Sequence, residues 1–335
     1  MKPVQVVLVV AVVVAAGITG YFALQRSGHA PSTSESVVSQ NNLPHSPSVG
    51  GKTPFLPKGS IAKSSPAAAY RQQFAQATSY YEFVRNAFPA AQGGNPEAQF
   101  YISEALGFCK QGYEMFFSKR SPDLPTPSLE EQIGKFTSHF SNLIGVITNV
   151  HGKCHNLMEN DVAQWGTRED WLVKATDANL PAAQARTAET LLGDEVLHRS
   201  PTIQSQEQDP RALLRSALAA EDPTALMVAG GFLRAVDEMN NPRLDDAQAR
   251  DQRTENRLAW WLLACNRGYD CSENSPWFSE VCATDPVCRS APTDAVAYIH
   301  QVADLRHYAD LDQRADEFSA KVAAQAWSDL GLGGS

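Results

Sequence analysis

The chain has 335 residues, of which 43% are hydrophobic and 19% charged, and its formal net charge at pH 7 is −9. This length and composition exclude an intrinsically disordered polypeptide and allow a sizeable hydrophobic core. Residues 1–66 carry five basic residues and one acid, a net charge of +4, so residues 67–335 carry −13. Because such an acidic body repels phosphate backbones and has no basic stripe, we expect no nucleic-acid partner.

An uncharged hydrophobic segment lies close to the N-terminus. Residues 6–24 read VVLVVAVVVAAGITGYFAL, 19 residues without a charge, and a membrane-spanning helix needs roughly 20. Lys2 and the free amine precede this segment and only Arg26 follows it, so residues 1–5 are predicted to be cytoplasmic and the body to lie outside. We therefore predict a single-pass anchor in the inner membrane of a Gram-negative envelope. The alternative is a signal peptide cleaved near residue 30, which leaves a secreted periplasmic protein.

The segment behind the anchor is polar. Residues 25–66 are rich in Ser, Pro, Gly and Asn, contain Glu35 as their only acid, and show no hydrophobic period. Such a segment cannot bury enough apolar surface to offset its ordering entropy, so we predict a flexible linker. A random coil of about 40 residues reaches roughly 35 Å, which is enough to hold the body clear of the lipid surface.

The body, residues 67–335, is predicted to be an all-α domain. Alanine is abundant, apolar residues recur at spacings of three and four, and strand-like alternation is nearly absent. A first helix is predicted over 67–88, a second ends at Phe117, and the last two cover 293–305 and 311–328. Capping residues mark the predicted helix starts between them, at Asn95-Pro96, Ser128 with Glu131, Thr167 with Asp170, Asp209-Pro210 and Asp222-Pro223.

Weak internal similarity links the segments 171–188, 213–230 and 259–275. Each has a helix with a bulky residue, an alanine near its end and a short polar turn. Pro181 and Pro223 lie 42 residues apart. A period in the range of about 20–50 residues, with two helices per unit, indicates a stacked array of helical hairpins.

The segments GNPEAQF (94–100), 171–188 and AWWLLAC…GYDC (259–271) resemble degenerate Sel1-like repeats, which are relatives of tetratricopeptide repeats. Those repeats place a bulky residue and alanine on a first helix, a Gly or polar-Pro turn, and then Ala-Gln-x-x-x-Ala on a second helix. The resemblance implies an α-solenoid that binds proteins or peptides and has no catalytic activity. In this chain the family's regular glycines are replaced, for example by Asn179-Leu180.

Six cysteines lie in the body. The last four form a C-x5-C-x10-C-x5-C pattern, which is wider than the C-x2–4-C spacing of structural zinc sites, and no C-x-x-C redox motif is present. Outside the cytoplasm, six cysteines are expected to form three disulfides, although the sequence allows 15 connectivities. The predicted pairs are Cys109–Cys154, Cys265–Cys271 and Cys282–Cys288; a nested pairing of Cys265–Cys288 with Cys271–Cys282, or zinc coordination, stays open.

Other candidate ligands are few. His151, Cys154, His155 and Glu159 lie close in sequence, but we interpret them as a helix end whose histidines face water. The segment around Asp194 and Glu195 has no second histidine at ligand spacing. Because no G-x-S-x-G, HExxH or GxxxxGK[ST] motif is present, we expect no enzyme, no cofactor and no metal site.

Aromatic residues are predicted to lie mostly in the core. Trp260 and Trp261 are adjacent, so they cannot share one face of a helix, and we predict that one of them contacts a protein partner. The leading functional hypothesis is a non-enzymatic periplasmic scaffold or adaptor for envelope or secreted proteins. One alternative is a membrane-tethered folding factor, because lipase foldases share this layout, although their Arg-x-x-Phe-Asp-Tyr signature is missing here. The other alternative is a cell-envelope hydrolase.

Overall fold

The computed structural model describes residues 66–117, 126–136, 141–159, 162–196, 209–240, 247–273, 275–285, 287–288, 293–308 and 310–333. Within these ranges the protein is all-helical, with no strand, as the sequence predicts. The α-helices are α1 Pro66–Gln76, α2 Tyr80–Gln92, α3 Pro96–Phe117, α4 Leu129–Phe136, α5 Ser141–Glu159, α6 Arg168–Asp177, α7 Pro181–Val196, α8 Pro210–Ala219, α9 Pro223–Asn240, α10 Ala247–Asn266, α11 Pro276–Thr284, α12 Ala295–Arg306 and α13 Leu311–Ala323. Two short 3-10 helices, Val162–Trp165 and Trp327–Leu330, also occur.

The predicted helix starts are confirmed. The side chains of Asn95 and Ser128 accept hydrogen bonds from backbone amides in the first turns of α3 and α4, at 3.0 and 3.1 Å. Thr167 and Asp170 form a reciprocal capping box at the start of α6. Asp222 accepts from the Thr224 amide at 2.8 Å, ahead of α9. These caps satisfy amides that a helix terminus leaves without an intrahelical partner.

Two predicted helices were wrong in extent. The helix predicted over 67–88 is divided into α1 and α2, because Ser79 adopts an extended conformation and caps α2 by accepting from the Glu82 amide. The chain then turns back on itself, and the Phe74 ring stacks on Tyr80 with centroids 4.9 Å apart. The helix predicted over 311–328 ends at Ala323, because Gln325 takes a left-handed conformation with φ 52°.

Consecutive helices pack as neighbours along most of the body. Helix α2 packs on α3, α6 on α7 and α8 on α9. Between these pairs, α3 packs on α6, α7 on both α8 and α9, and α9 on α10. Helix α10 then packs on α12 and α13. Helix α5 departs from this order: it contacts α2, α3 and α4 but also α11, and so brings the middle of the chain against the C-terminal cysteine region.

The predicted anchor at 6–24 and the linker at 25–66, apart from Pro66, lie outside the described residues. Among the helices that the structure does describe, none combines the length and the apolar character needed to span a bilayer.

A candidate binding cleft held by disulfides

An open cleft of about 690 Å³ lies between three parts of the chain that are distant in sequence. We use "the cleft" for the space lined by the following residues: Ala75, Gln76, Ala77, Thr78, Thr148, Asn149, Gly152, Lys153, Asp270 and Ser272. Its three walls are the end of α1 with the turn after it, one face of α5, and the loop that follows α10. Its volume falls within the range of about 300–1,000 Å³ that is typical of ligand sites.

Helix α5 presents one face to the cleft and buries the other. Thr148, Asn149, Gly152 and Lys153 are spaced so that they share one side of a helix. The opposite side buries Ile147, Val150, Cys154 and Leu157. At Gly152 an added Cβ atom would meet no other atom within 4 Å, so the absence of a side chain there leaves space in the cleft.

Lys153 is the basic residue of the cleft. It is only 6% exposed, and its ammonium lies 5.3 Å from the ring centroid of the fully buried Tyr80. Burial lowers the pKa of Lys153, and the nearby Asp270 carboxylate acts in the opposite direction. A cation held at the protein wall and an anion on the facing loop give the cleft a polarised lining.

The loop after α10 carries the acidic wall. Gly268, with φ 95°, allows the chain to leave the helix in a conformation that other residues rarely adopt, and the Tyr269 amide donates to the Ala264 carbonyl at 2.9 Å. The Asp270 side chain accepts from the Ser272 amide at 3.1 Å. Burial raises the pKa of Tyr269 to about 12, and Arg186 acts to lower it.

The disulfides are those that the sequence predicts. The structure has three bonds, Cys109–Cys154, Cys265–Cys271 and Cys282–Cys288, with Cα–Cα distances of 5.1, 5.7 and 5.2 Å. The nested pairing is not formed. The first bond fixes α5 to α3, directly beside Lys153. The second closes the loop that carries Asp270. The third holds the end of α11, the helix that packs on α5. All three bonds therefore restrain elements that form or support the walls of the cleft.

A partly exposed polar network supports the same region. The Arg186 guanidinium on α7 donates to Glu104 on α3 at 3.2 Å and to Glu189 at 2.8 Å. On the α1 side, Arg71 donates to the Tyr101 hydroxyl at 3.2 Å and lies 3.6 Å from Asp222. These contacts join α1, α3, α7 and the start of α9, and so fix the wall that α1 contributes.

Trp260 and Trp261, of which one is predicted to contact a partner, both lie outside the cleft lining. Trp260 is 1% exposed and stacks on Phe318 with centroids 4.7 Å apart, so it is a core residue. Trp261 is half-buried; it meets Trp277 edge to face at 4.8 Å, and the Arg257 guanidinium lies 4.7 Å above its ring. Trp261 therefore remains the residue for which a partner contact is predicted.

The histidines of α5 do not sit at a water-facing helix end. His151 and His155 lie inside α5 and stack on each other with centroids 4.5 Å apart, while Cys154 is committed to a disulfide. No cluster of three or more metal-ligating side chains occurs in the described ranges. Asp194 is buried, and the side chain of Glu195 lies outside the described part.

Sequence reasoning missed the cleft residues, although one signal was present. Lys153 directly precedes Cys154, and Asp270 directly precedes Cys271. A charged residue next to a bonded cysteine is held in place by the covalent bond of its neighbour. No protein-family model matches this sequence, and the comparisons with curated proteins and with solved structures find no match either.

Proposed function

We propose that the protein is a membrane-anchored periplasmic adaptor, without enzymatic activity, whose helical body binds a segment of an envelope or secreted protein in the cleft. The observation that carries this proposal is the cleft itself, about 690 Å³ in volume and walled by three distant segments. Small residues in its walls, Ala75, Ala77 and Gly152, leave room for a polypeptide backbone. The polar side chains of Thr78, Asn149 and others supply hydrogen-bonding groups to it.

Rigidity favours binding because a pre-formed site loses less conformational entropy when its ligand arrives. The three disulfides and the Arg186 network supply that rigidity around the cleft. The contacts between successive helix pairs support the finer proposal of a Sel1-like solenoid, in which α2–α3, α6–α7 and α8–α9 are the hairpin units.

The location is part of the proposal. Among the described residues every cysteine is bonded, and disulfides form and persist in oxidising compartments such as the periplasm. An anchor at 6–24 and a linker at 25–66, with a root-mean-square reach of roughly 35 Å, would tether the body to the membrane. Such tethering raises the effective concentration of the adaptor for partners at the membrane.

Site-specific photocrosslinking tests this function. In the full chain, a benzophenone-bearing residue replaces Thr148, which is exposed and lines the cleft, or Asp304, which is exposed on α12. Irradiation of intact cells is expected to give a protein adduct at position 148 and none at position 304. Equal adducts at the two positions would contradict a cleft-specific partner.

A matched pair of glycine substitutions provides the control. Gly152→Leu places a side chain in the cleft, whereas Gly145→Leu lies two turns earlier on α5 and outside the cleft lining. An added Cβ meets no atom within 4 Å at either site, and both changes favour the helix by about 0.5–1 kcal/mol. Gly152→Leu is expected to abolish the adduct and Gly145→Leu to retain it. An adduct that survives Gly152→Leu rejects the cleft as the binding site.

A further inference from the structure

We propose that the Cys265–Cys271 disulfide is a reducible latch on the cleft: a protein dithiol opens it, the loop that carries Asp270 detaches, and partner binding is lost. This inference rests on the proposed function and concerns the regulation of the same site. It follows from the different positions of the three disulfides in the fold.

The Cys265–Cys271 bond is more accessible than the Cys109–Cys154 bond. Cys109 and Cys154 are both 0% exposed, and in the third bond Cys288 is 8% exposed while Cys282 is partly buried. Cys265 and Cys271, in contrast, are both only partly buried, at the end of α10 and in the loop after it. Because thiol–disulfide exchange requires a thiolate to reach a sulfur atom, a dithiol protein reaches this bond more readily than the fully buried Cys109–Cys154 bond.

The Cys265–Cys271 bond also borders the cleft, whereas the Cys282–Cys288 bond does not. Asp270 and Ser272 flank Cys271 and both line the cleft. Cys282–Cys288 closes a loop of the same sequence separation, 6 residues, but none of the described residues of that loop lines the cleft. The chain therefore contains a matched pair of short-loop disulfides, of which one alone borders the site.

A backbone hydrogen bond also ties the second half of this loop to a neighbouring helix. The Tyr269 amide is bonded to α10, but beyond it the backbone is attached to a neighbouring helix through the Ala295 amide, which donates to the Cys271 carbonyl at 3.0 Å. The Asp270 and Ser272 hydrogen bond lies within the loop itself. Once the disulfide opens, residues 270–272 lose their covalent tie to α10, and the Ala295–Cys271 hydrogen bond breaks as the loop leaves the wall.

The chemistry is ordinary thiol–disulfide exchange. A thiolate of the dithiol attacks one sulfur of the Cys265–Cys271 bond and forms a mixed disulfide, and the second thiolate of the reductant then displaces the remaining cysteine. Two electrons pass from the reductant to the protein. The products are two cysteine thiols, each with a proton taken from the reductant or solvent, and a disulfide on the reductant.

The first test uses the full chain in lipid nanodiscs, with dithiothreitol as the probe. Samples are titrated with dithiothreitol, trapped with N-ethylmaleimide and mapped by mass spectrometry. Cys265 and Cys271 are expected to be alkylated at the lowest concentration, while Cys109 and Cys154 stay bonded. At that concentration, hydrogen exchange at the Ala295 amide is expected to become faster. Alkylation of Cys109 and Cys154 first, or unchanged exchange at Ala295, overturns the proposal.

The second test measures partner binding with the photocrosslinker at position 148. The variant Cys265→Ser/Cys271→Ser is expected to lose the adduct, and Cys282→Ser/Cys288→Ser to retain it. Selective reduction of the wild-type loop must give the same loss, which excludes misfolding of the serine variant as the cause. If oxidised wild type gives an adduct and the Cys265→Ser/Cys271→Ser variant gives as much, the latch is rejected and the adaptor function stands. If oxidised wild type gives none, the adaptor function itself fails.

Discussion

The two halves of the helical body have cores of different composition. Aromatic residues make up a larger share of the N-terminal core, which contains Tyr80, Phe83, Phe100, Tyr101, Trp165 and Trp171. Alanine and leucine dominate the C-terminal core, which contains Ala217, Ala225, Ala229, Ala259, Leu214, Leu218, Leu258 and Leu262. Helix α7 belongs to both, because Ala182 and Ala183 lie in the first core and Ala185 and Ala188 in the second.

The disulfides follow the same division. In the N-terminal core, Cys109 and Cys154 are fully buried and join helices 45 residues apart in sequence. In the C-terminal half, each bond joins a helix to its own loop across 6 residues. The comparison indicates that one bond stabilises the fold as a whole and that the others fix local loop geometry. The cleft is formed where the two halves meet, with Lys153 from one and Asp270 from the other.

The largest effect is expected from the long-range bond. Cys109→Ala with Cys154→Ala opens a closed loop of 46 residues, and the chain-entropy relation gives a loss of about 4 kcal/mol in the free energy of unfolding. Urea denaturation followed by tryptophan fluorescence measures this loss. A loss smaller than that of the short-loop variant below would contradict the division between the halves.

A smaller loss is expected from a short-range bond. Cys265→Ala with Cys271→Ala opens a loop of 7 residues, for which the same relation gives about 2–2.5 kcal/mol. The control is Cys282→Ala with Cys288→Ala, which has the same loop length and should cost a similar amount. Unequal losses in urea denaturation would show that packing around one bond, rather than loop closure, determines its contribution.

Two adjacent glycines on α9 test the close packing of the C-terminal half. A Cβ at Gly230 would lie 3.1 Å from the Trp260 Cβ atom and 3.2 Å from the Arg257 carbonyl oxygen, whereas a Cβ at Gly231 meets nothing within 4 Å. Gly230→Ala is therefore expected to destabilise the fold by about 1–3 kcal/mol through overpacking. Gly231→Ala is expected to stabilise it by about 0.5–1 kcal/mol. Thermal unfolding of both variants checks the opposite signs, and equal signs would refute the close contact between α9 and α10.

The smallest effect concerns Lys153 at the junction of the halves. Because its folded-state pKa lies below the ordinary value of 10.5, the folded chain holds fewer protons than the unfolded chain between those two pKa values. The contribution of Lys153 to the free energy of unfolding therefore rises with pH between those two pKa values. Below both values Lys153 is charged in the folded and in the unfolded chain, so the full cost of burying the ammonium lowers the stability. Lys153→Met is expected to remove this rise.

Urea denaturation at several pH values up to the ordinary lysine value of 10.5 measures the slope. Lys110→Met, at an exposed position on α3, serves as the control and should keep the wild-type slope. An unchanged slope in Lys153→Met would show that the ammonium is solvated in the folded protein.

Local features of the fold were predictable from the sequence. Caps such as Asn95 and Thr167 bond to an amide three residues further along the chain. The bonds Cys265–Cys271 and Cys282–Cys288 join cysteines six residues apart. Both features can therefore be read from a short stretch of sequence. The break before α2 was missed because the caps at Ser79 compete with an apolar period that continues through it. Ser79 and Glu82 do have the Ser-x-x-Glu form of a helix start, but the apolar period that continues through them favoured a single helix.

The cleft was not predictable, because it joins residues near 75, 150 and 270 through tertiary packing. Hydrophobic periodicity identifies which face of α5 is buried but not which distant loop lies across from the other face. Trp260 illustrates the same limit: its adjacency to Trp261 required one of the two to turn inward, but the sequence did not indicate which.

Non-reducing peptide mapping of the full chain, isolated from its native membrane with thiols blocked at lysis, tests the central claim most directly. The account predicts the three linked peptide pairs Cys109–Cys154, Cys265–Cys271 and Cys282–Cys288, with no alkylated cysteine. Free thiols at all six positions, or bound zinc, would place the body in a reducing compartment and remove the covalent support of the cleft walls.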